Sequence, residues 1–197
     1  MKLKKRYLCA VLMIFVLVMI TGCGKKEQKV ENVIGDIRDN SLIIQDDGSI
    51  REIACQDFSS PEYDISGLKT EIENQVSDYC GKHSNNAVKF LEYKEENGFV
   101  RVALDYKSIE DYNSFNGTSY IVGDMIGLDS AAPIKGVDGI ETTIGDVLQN
   151  GYKAIRVDGA LNLTINGEVL YYNSHVTLIS GNNVQTDGTG DAIIIYK

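Results

Sequence analysis

The chain has 197 residues, with 28 acidic against 19 basic side chains, a formal net charge of −9, two histidines, four cysteines and no tryptophan. That balance is repelled by nucleic acid, anionic lipid and phosphate-rich polymers, so it excludes nucleic acid as a partner held by charge. Four cysteines at this length also exclude a disulfide-dense mini-scaffold.

In chain order, the first segment reads as an export signal. Lys2, Lys4, Lys5 and Arg6 form a positive start, and Leu8 to Ile20 runs thirteen residues without a charge. Such a run is too short to span a bilayer comfortably as a permanent helix. Ile20-Thr21-Gly22-Cys23 resembles the bacterial lipobox of an aliphatic residue, a small residue, Gly or Ala, and Cys. The resemblance implies cleavage between Gly22 and Cys23, a diacylglycerol thioether on Cys23, and acylation of the new amine by a palmitate-like chain. Two or three acyl chains anchor stably where one is marginal. The expected address is the cell membrane, lipid-anchored, on the extracytoplasmic face.

Removal of residues 1–22 takes four basic residues and leaves fifteen against 28 acidic ones, a net −13. Residues 23–38 read as a lipidated tether. Lys25, Lys26 and Lys29 either meet headgroups or keep it solvated. At about 5–6 Å × √n, such a leash reaches about 20 Å.

Residues 39–197 are of a size for one globular domain. The expected class is α+β, with one main amphipathic helix packed on a largely antiparallel β-sheet and a β-rich C-terminal third. Asn-Gly and Asp-Gly dipeptides recur from Asp47-Gly48 to Asp187-Gly188 and tolerate the positive φ of tight turns. Residues 41–45 and 49–54 form one expected hairpin, and residues 87–94 and 99–106 a second. Residues 65–80 carry Ile65, Leu68, Ile72, Val76 and Tyr79 at helical spacing, with Asp64 or Ser66 near the cap. Short helices are expected at 109–115, capped by Ser108, and at 144–148, capped by Thr142 or Thr143. Strands follow at 152–157, 161–165, 168–172, 176–179 and 192–196, with Asn166-Gly167 joining the 161–165 and 168–172 pair as a hairpin.

The stretch from Asp105 to Gly117, containing Ser108-Ile109-Glu110-Asp111-Tyr112-Asn113-Ser114-Phe115-Asn116-Gly117, and the closing Ala192-Ile193-Ile194-Ile195-Tyr196-Lys197 point the same way as the lipobox. Together they resemble a group of small acidic lipoproteins from anaerobic Gram-positive bacteria. The resemblance implies no activity and carries over no catalytic residue.

Cys9 leaves with the signal and Cys23 takes the lipid, so Cys55 and Cys80 remain, either as a disulfide or as two buried thiols. A bridge would close a loop worth roughly 3 kcal/mol in the chain-entropy model. Cys80 and His83 have a metal-like spacing but lack the further ligands that zinc requires. Asp187-Gly188-Thr189-Gly190-Asp191 falls short of a calcium loop and reads as a hairpin turn. Catalytic and phosphate-binding motifs are missing, so no catalytic residue, metal or cofactor is expected.

Two functions stay open. The first is a non-enzymatic binding or protein-interaction module of the cell envelope, meeting an envelope protein or a small solute. Tyr171-Tyr172 would supply contact surface there unless both serve cross-strand packing. The second is an envelope hydrolase or thiol-dependent enzyme using Cys80, His83 or His175. It requires at least two of those side chains in one pocket.

Overall fold

The computed structural model describes residues 33–60, 62–148 and 151–197; the expected export signal and the lipobox-like segment with Cys23 lie outside them. Apolar side chains on both faces build β1 (Ser41–Ile44) and β2 (Ile50–Asp57), paired antiparallel across Asp46-Asp47-Gly48. Helix α1 (Leu68–Lys82) follows, beginning after Gly67. The Asp64 carboxylate accepts from the Ser66 N–H at 3.0 Å, so it closes the turn before the helix rather than capping it.

Strands β3 (Val88–Glu96) and β4 (Phe99–Tyr106) meet at a two-residue turn. There Asn97 (φ 54) and Gly98 (φ 80) both take the positive angles such a turn requires. Helix α2 (Ile109–Asn116) starts at Ser108, whose hydroxyl accepts the Asp111 N–H at 3.2 Å. Then come β5 (Ile121–Asp124), β6 (Pro133–Gly136), β7 (Glu141–Thr143) and α3 (Ile144–Val147). At the start of α3 the Asp146 carboxylate accepts from both the N–H and the hydroxyl of Thr143. The last third holds β8 (Lys153–Val157), β9 (Asn162–Ile165), β10 (Val169–Tyr172), β11 (Val176–Ser180), β12 (Asn183–Thr186) and β13 (Ala192–Tyr196).

The class is mixed α+β and strand-rich, with two sheets in place of the single sheet expected. The first sheet runs β11-β12-β9-β1-β2-β4-β3 and the second β5-β8-β13-β10-β6-β7. Among the described residues, every strand pairing is antiparallel except β1 with β9. The Asn166-Gly167 expectation is corrected here, because β9 and β10 belong to different sheets and do not pair. That dipeptide is a corner at which the chain changes layer. A Cβ on Gly167 would come within 2.5 Å of the Lys197 carbonyl oxygen, so the corner closes tightly on the C-terminal strand. Asp187-Gly188 is likewise a crossing from β12 to β13, not a hairpin.

The inner face of the first sheet is covered in two halves. Under β8 and β13 the core is aliphatic, with Leu42, Ile44, Leu163 and Ile165 facing Ile155, Val157 and Ile194. Under α1 and α2 it is rich in aromatic rings, with Tyr79, Tyr106, Tyr112 and Phe115 against Val76, Val88 and Val102. On the outside of the second sheet, Met125, Ile134, Ile144, Val147, Ile193 and Ile195 form a smaller core.

The folded body begins before residue 39, inside what reads as tether. Ile34 is 0 % exposed and packs with Ile53 and Ala103 on the outer face of the first sheet. Its N–H donates to the Glu92 carboxylate at 2.9 Å, and the Arg101 guanidinium donates to the Gly35 carbonyl at 3.2 Å. Residues 33–38 therefore form a strap, held by Ile34 with Val33 and Ile37 beside it and by two buried charged side chains, Glu92 and Arg101, on the sheet.

Candidate functional site

The residues singled out by sequence do not gather. Cys80 lies on α1 and His83 at its C-cap; the helix packs on β3 at one edge of the first sheet, whereas His175 precedes β11 at the opposite edge. Six strand spacings of about 4.8 Å separate those edges by roughly 29 Å. The Cys80 thiol donates to the Val88 carbonyl at 3.2 Å, and the His83 ring stacks on Tyr79 with centroids 4.0 Å apart. Cys55 and Cys80 are both free, which corrects the candidate disulfide. Cys55 packs with Ile34 and Ile53 on the outer face, while Cys80 packs into the inner core, so the sheet lies between them. Burial raises the Cys55 thiol above its ordinary value.

His175 has partners, but not those of a nucleophile. Its Nδ1 lies 3.3 Å from the Asp187 carboxylate and 3.2 Å from the Thr189 hydroxyl, so both neighbours compete for one nitrogen. The other nitrogen packs over Gly190, where a Cβ would come within 2.7 Å. Hydrogen bonds from the Thr189 N–H and hydroxyl hold the Asp187 carboxyl below its usual range. This arrangement closes the β12–β13 crossing. Among the described residues, no three His, Cys, Asp or Glu side chains group as metal ligands.

Two features have no counterpart in that reading. One is a half-buried acid. Glu52 stands on β2 between Leu42 and Leu104, facing inward where the helical and sheet covers meet. The Tyr106 hydroxyl donates to it at 2.6 Å, and the Asn116 amide donates to that hydroxyl at 3.1 Å. Tyr112 meets the Tyr106 ring edge-on at 5.0 Å and stacks with Tyr120 at 5.6 Å. Desolvation raises the Glu52 carboxyl, only partly offset by its neutral donors, and burial pushes Tyr120 up to about 12. Period-two alternation shows Glu52 on a strand but not which face it takes.

The other is a groove of about 390 Å³ where the second sheet outruns the first. Register places Tyr172, Lys135 and Glu141 side by side on one face, with Pro133 and Thr143 in the next row. Tyr172 turns toward the inner core, so this face is the inner one, yet Lys135, Glu141 and Pro133 are exposed. The first sheet ends at β11, leaving β6 and β7 as an overhanging shelf. The Lys135 ammonium sits over the Tyr172 ring, 5.4 Å from its centroid.

The back wall of the groove is pinned. The Asn173 side chain accepts from the Ile193 N–H at 3.1 Å and donates to the Asp191 carbonyl at 2.7 Å. A larger concavity of about 480 Å³ lies by the Asp46-Asp47 turn, but it is an open dish among hairpin tips. The shelf, with an aromatic face, a cation and amides on a fixed frame, is the better recognition surface. Tyr171 and Tyr172 divide: Tyr171 packs on the outer core and Tyr172 floors the groove.

Compared with protein-family models, curated proteins and solved structures, the chain matches none.

Proposed function

We propose that this chain is a membrane-anchored lipoprotein of the extracytoplasmic face, and that its folded body is a non-enzymatic binding or protein-interaction module of the cell envelope. The anchoring half rests on the lipobox at Ile20 to Cys23 and the basic, apolar segment before it. The binding half rests on the shelf, an open groove of mixed polarity held by a pinned turn. The enzyme reading needs two of Cys80, His83 and His175 in one pocket; the Cys80 thiol donates to the Val88 carbonyl, the His83 ring stacks on Tyr79, and the width of the first sheet parts both from His175.

Replacing Cys23 with Ser should abolish incorporation of labelled palmitate and move the protein out of the membrane fraction. Labelling that persists would overturn the anchor. A photo-crosslinking side chain in place of Lys135, introduced in living cells, should give a discrete adduct that one in place of Lys69 on α1 does not. Equal smears from both positions would remove the shelf as the binding surface.

A further inference from the structure

We propose that β11 receives an extended peptide as an eighth strand of the first sheet, laid over the β6–β7 shelf with an acidic group at Lys135. This rests on the reading of the body as an interaction module and names the kind of partner that its groove takes.

The first observation is the edge itself. β11 is the terminal strand of the first sheet, so one side of its backbone is not engaged in that sheet. The Asp187 N–H donates to the His175 carbonyl, and antiparallel pairs alternate between bonded and unbonded positions. Thr177 therefore turns its main chain toward β12, whereas Leu178 turns both its N–H and its C=O outward. Protected edges carry lysine, proline or an inward charge. Val176-Thr177-Leu178-Ile179-Ser180 carries none of these, and Ile179 is 63 % exposed. A bulge between Leu178 and Ser180 and the Val176 N–H, which donates to the Asn173 carbonyl at 3.2 Å, limit a guest to a short run centred on Leu178.

The second observation is that the two sheets end out of step. β11 connects to β10 through Asn173-Ser174-His175 and packs near β13, while β6 and β7 continue beyond β10. A strand added about 4.8 Å outside β11 moves onto that overhang, at the roughly 10 Å separation of packed sheets. It would restore the missing part of the sandwich and cover Tyr172, Pro133 and the stem of Lys135. Main-chain bonds to β11 would supply affinity, and alternate side chains on the shelf would supply selection.

The third observation is charge. Lys135 and Glu141 are direct cross-strand neighbours, yet the ammonium sits over Tyr172. On a chain whose formal net charge is −9, a cation presented on a groove floor selects an acidic side chain or a C-terminal carboxylate. Glu141 beside it disfavours a second acidic residue in the adjacent position. The occupant is thus an extended segment of another protein carrying one acidic group.

The test uses the mature lipidated protein in detergent micelles, panned against a phage-displayed random dodecapeptide library. Enriched sequences should share one acidic position among alternating apolar or β-branched residues. Synthetic versions should slow amide exchange at Leu178 about tenfold or more, and Lys135→Glu should weaken binding about tenfold. N-methylation of the alternate peptide residues whose N–H groups face β11 should abolish binding, while methylation of the other set should be tolerated.

Tolerance of both methylated sets, or protection confined to another surface, would overturn strand addition. So would a dimer that already protects Leu178 without peptide, since a second copy would then own the edge. If the Lys135 photo-adduct forms in cells but no peptide is enriched, the module reading stands and strand addition fails. Lys135 is exposed, so loss of binding in its variant can be separated from misfolding by an unchanged thermal transition.

Discussion

Glu52 and Glu92 belong to the same sheet, separated only by β4, and face opposite ways. Glu52 looks inward among tyrosines and takes its hydrogen bonds from neutral groups, chiefly the Tyr106 hydroxyl. Glu92 looks outward beneath the strap, 8 % exposed, with the Ile34 N–H at 2.9 Å and the Lys94 ammonium at 3.1 Å. Desolvation pushes both carboxyls upward. At Glu52 it wins; at Glu92 the strap N–H and Lys94 outweigh it and hold the carboxyl below its usual range. Depth alone does not decide what a buried carboxylate costs. Its donors and counter-ion do.

The difference has an architectural sense. The outer acid holds the point where the chain arriving from the N-terminus joins the sheet, so its ionised state supports the junction. The inner acid sits where two covering layers meet and contributes stability only when neutral.

The strap side should break hardest. Ile34→Ala removes a fully buried side chain and should cost about 2–5 kcal/mol of unfolding free energy in urea titrations. A loss under about 0.5 kcal/mol would mean that residues 33–38 unfold apart from the body.

Glu92→Gln is the next largest. It leaves the Ile34 N–H an acceptor but takes away the charge, and should cost about 1–3 kcal/mol at neutral pH. Because the folded carboxyl lies below its ordinary value, its contribution is present above that value and is lost as pH falls through the folded one. The gap between wild type and variant should close in acid. A gap constant from neutral pH to acid would refute the account of Glu92.

How far the chain betrays this arrangement depends on whether a feature is local. Ser108 and Thr143 announce their helices because a cap is satisfied within three residues, as the Asp111 and Asp146 contacts show. Asn97-Gly98 and Asn166-Gly167 are the same dipeptide, yet one makes a hairpin and the other a corner between sheets. The pair reports tolerance of unusual φ angles and is silent about what the flanking strands pair with. The parallel β1–β9 ladder joins residues more than a hundred positions apart and leaves no local mark. Ile34 looks like tether because Val33, Ile34 and Ile37 make too short an apolar run to show a period in an otherwise polar stretch. Of the shelf, the sequence leaves Tyr172 open between contact surface and cross-strand packing, and its place on the groove floor depends on where another sheet stops.

The smallest effect is the most discriminating, because its sign is opposite. Glu52→Gln keeps a carbonyl oxygen for the Tyr106 hydroxyl and removes the charge that desolvation penalises. Relief of a partly desolvated charge that takes its hydrogen bonds from neutral groups should raise stability by up to about 1 kcal/mol at neutral pH. The folded carboxyl lies above its ordinary value, so wild-type stability is fullest below the ordinary glutamate value and is lost as pH rises toward the folded one. The two proteins should therefore converge in acid and separate toward neutrality, with the variant on top. Urea midpoints across that range decide the matter, read beside Glu92→Gln, which should also converge in acid but lie below wild type. If both substitutions lower stability at neutral pH, Glu52 draws on a stabilising partner beyond Tyr106 and Asn116, and the contrast between the two faces of the sheet fails.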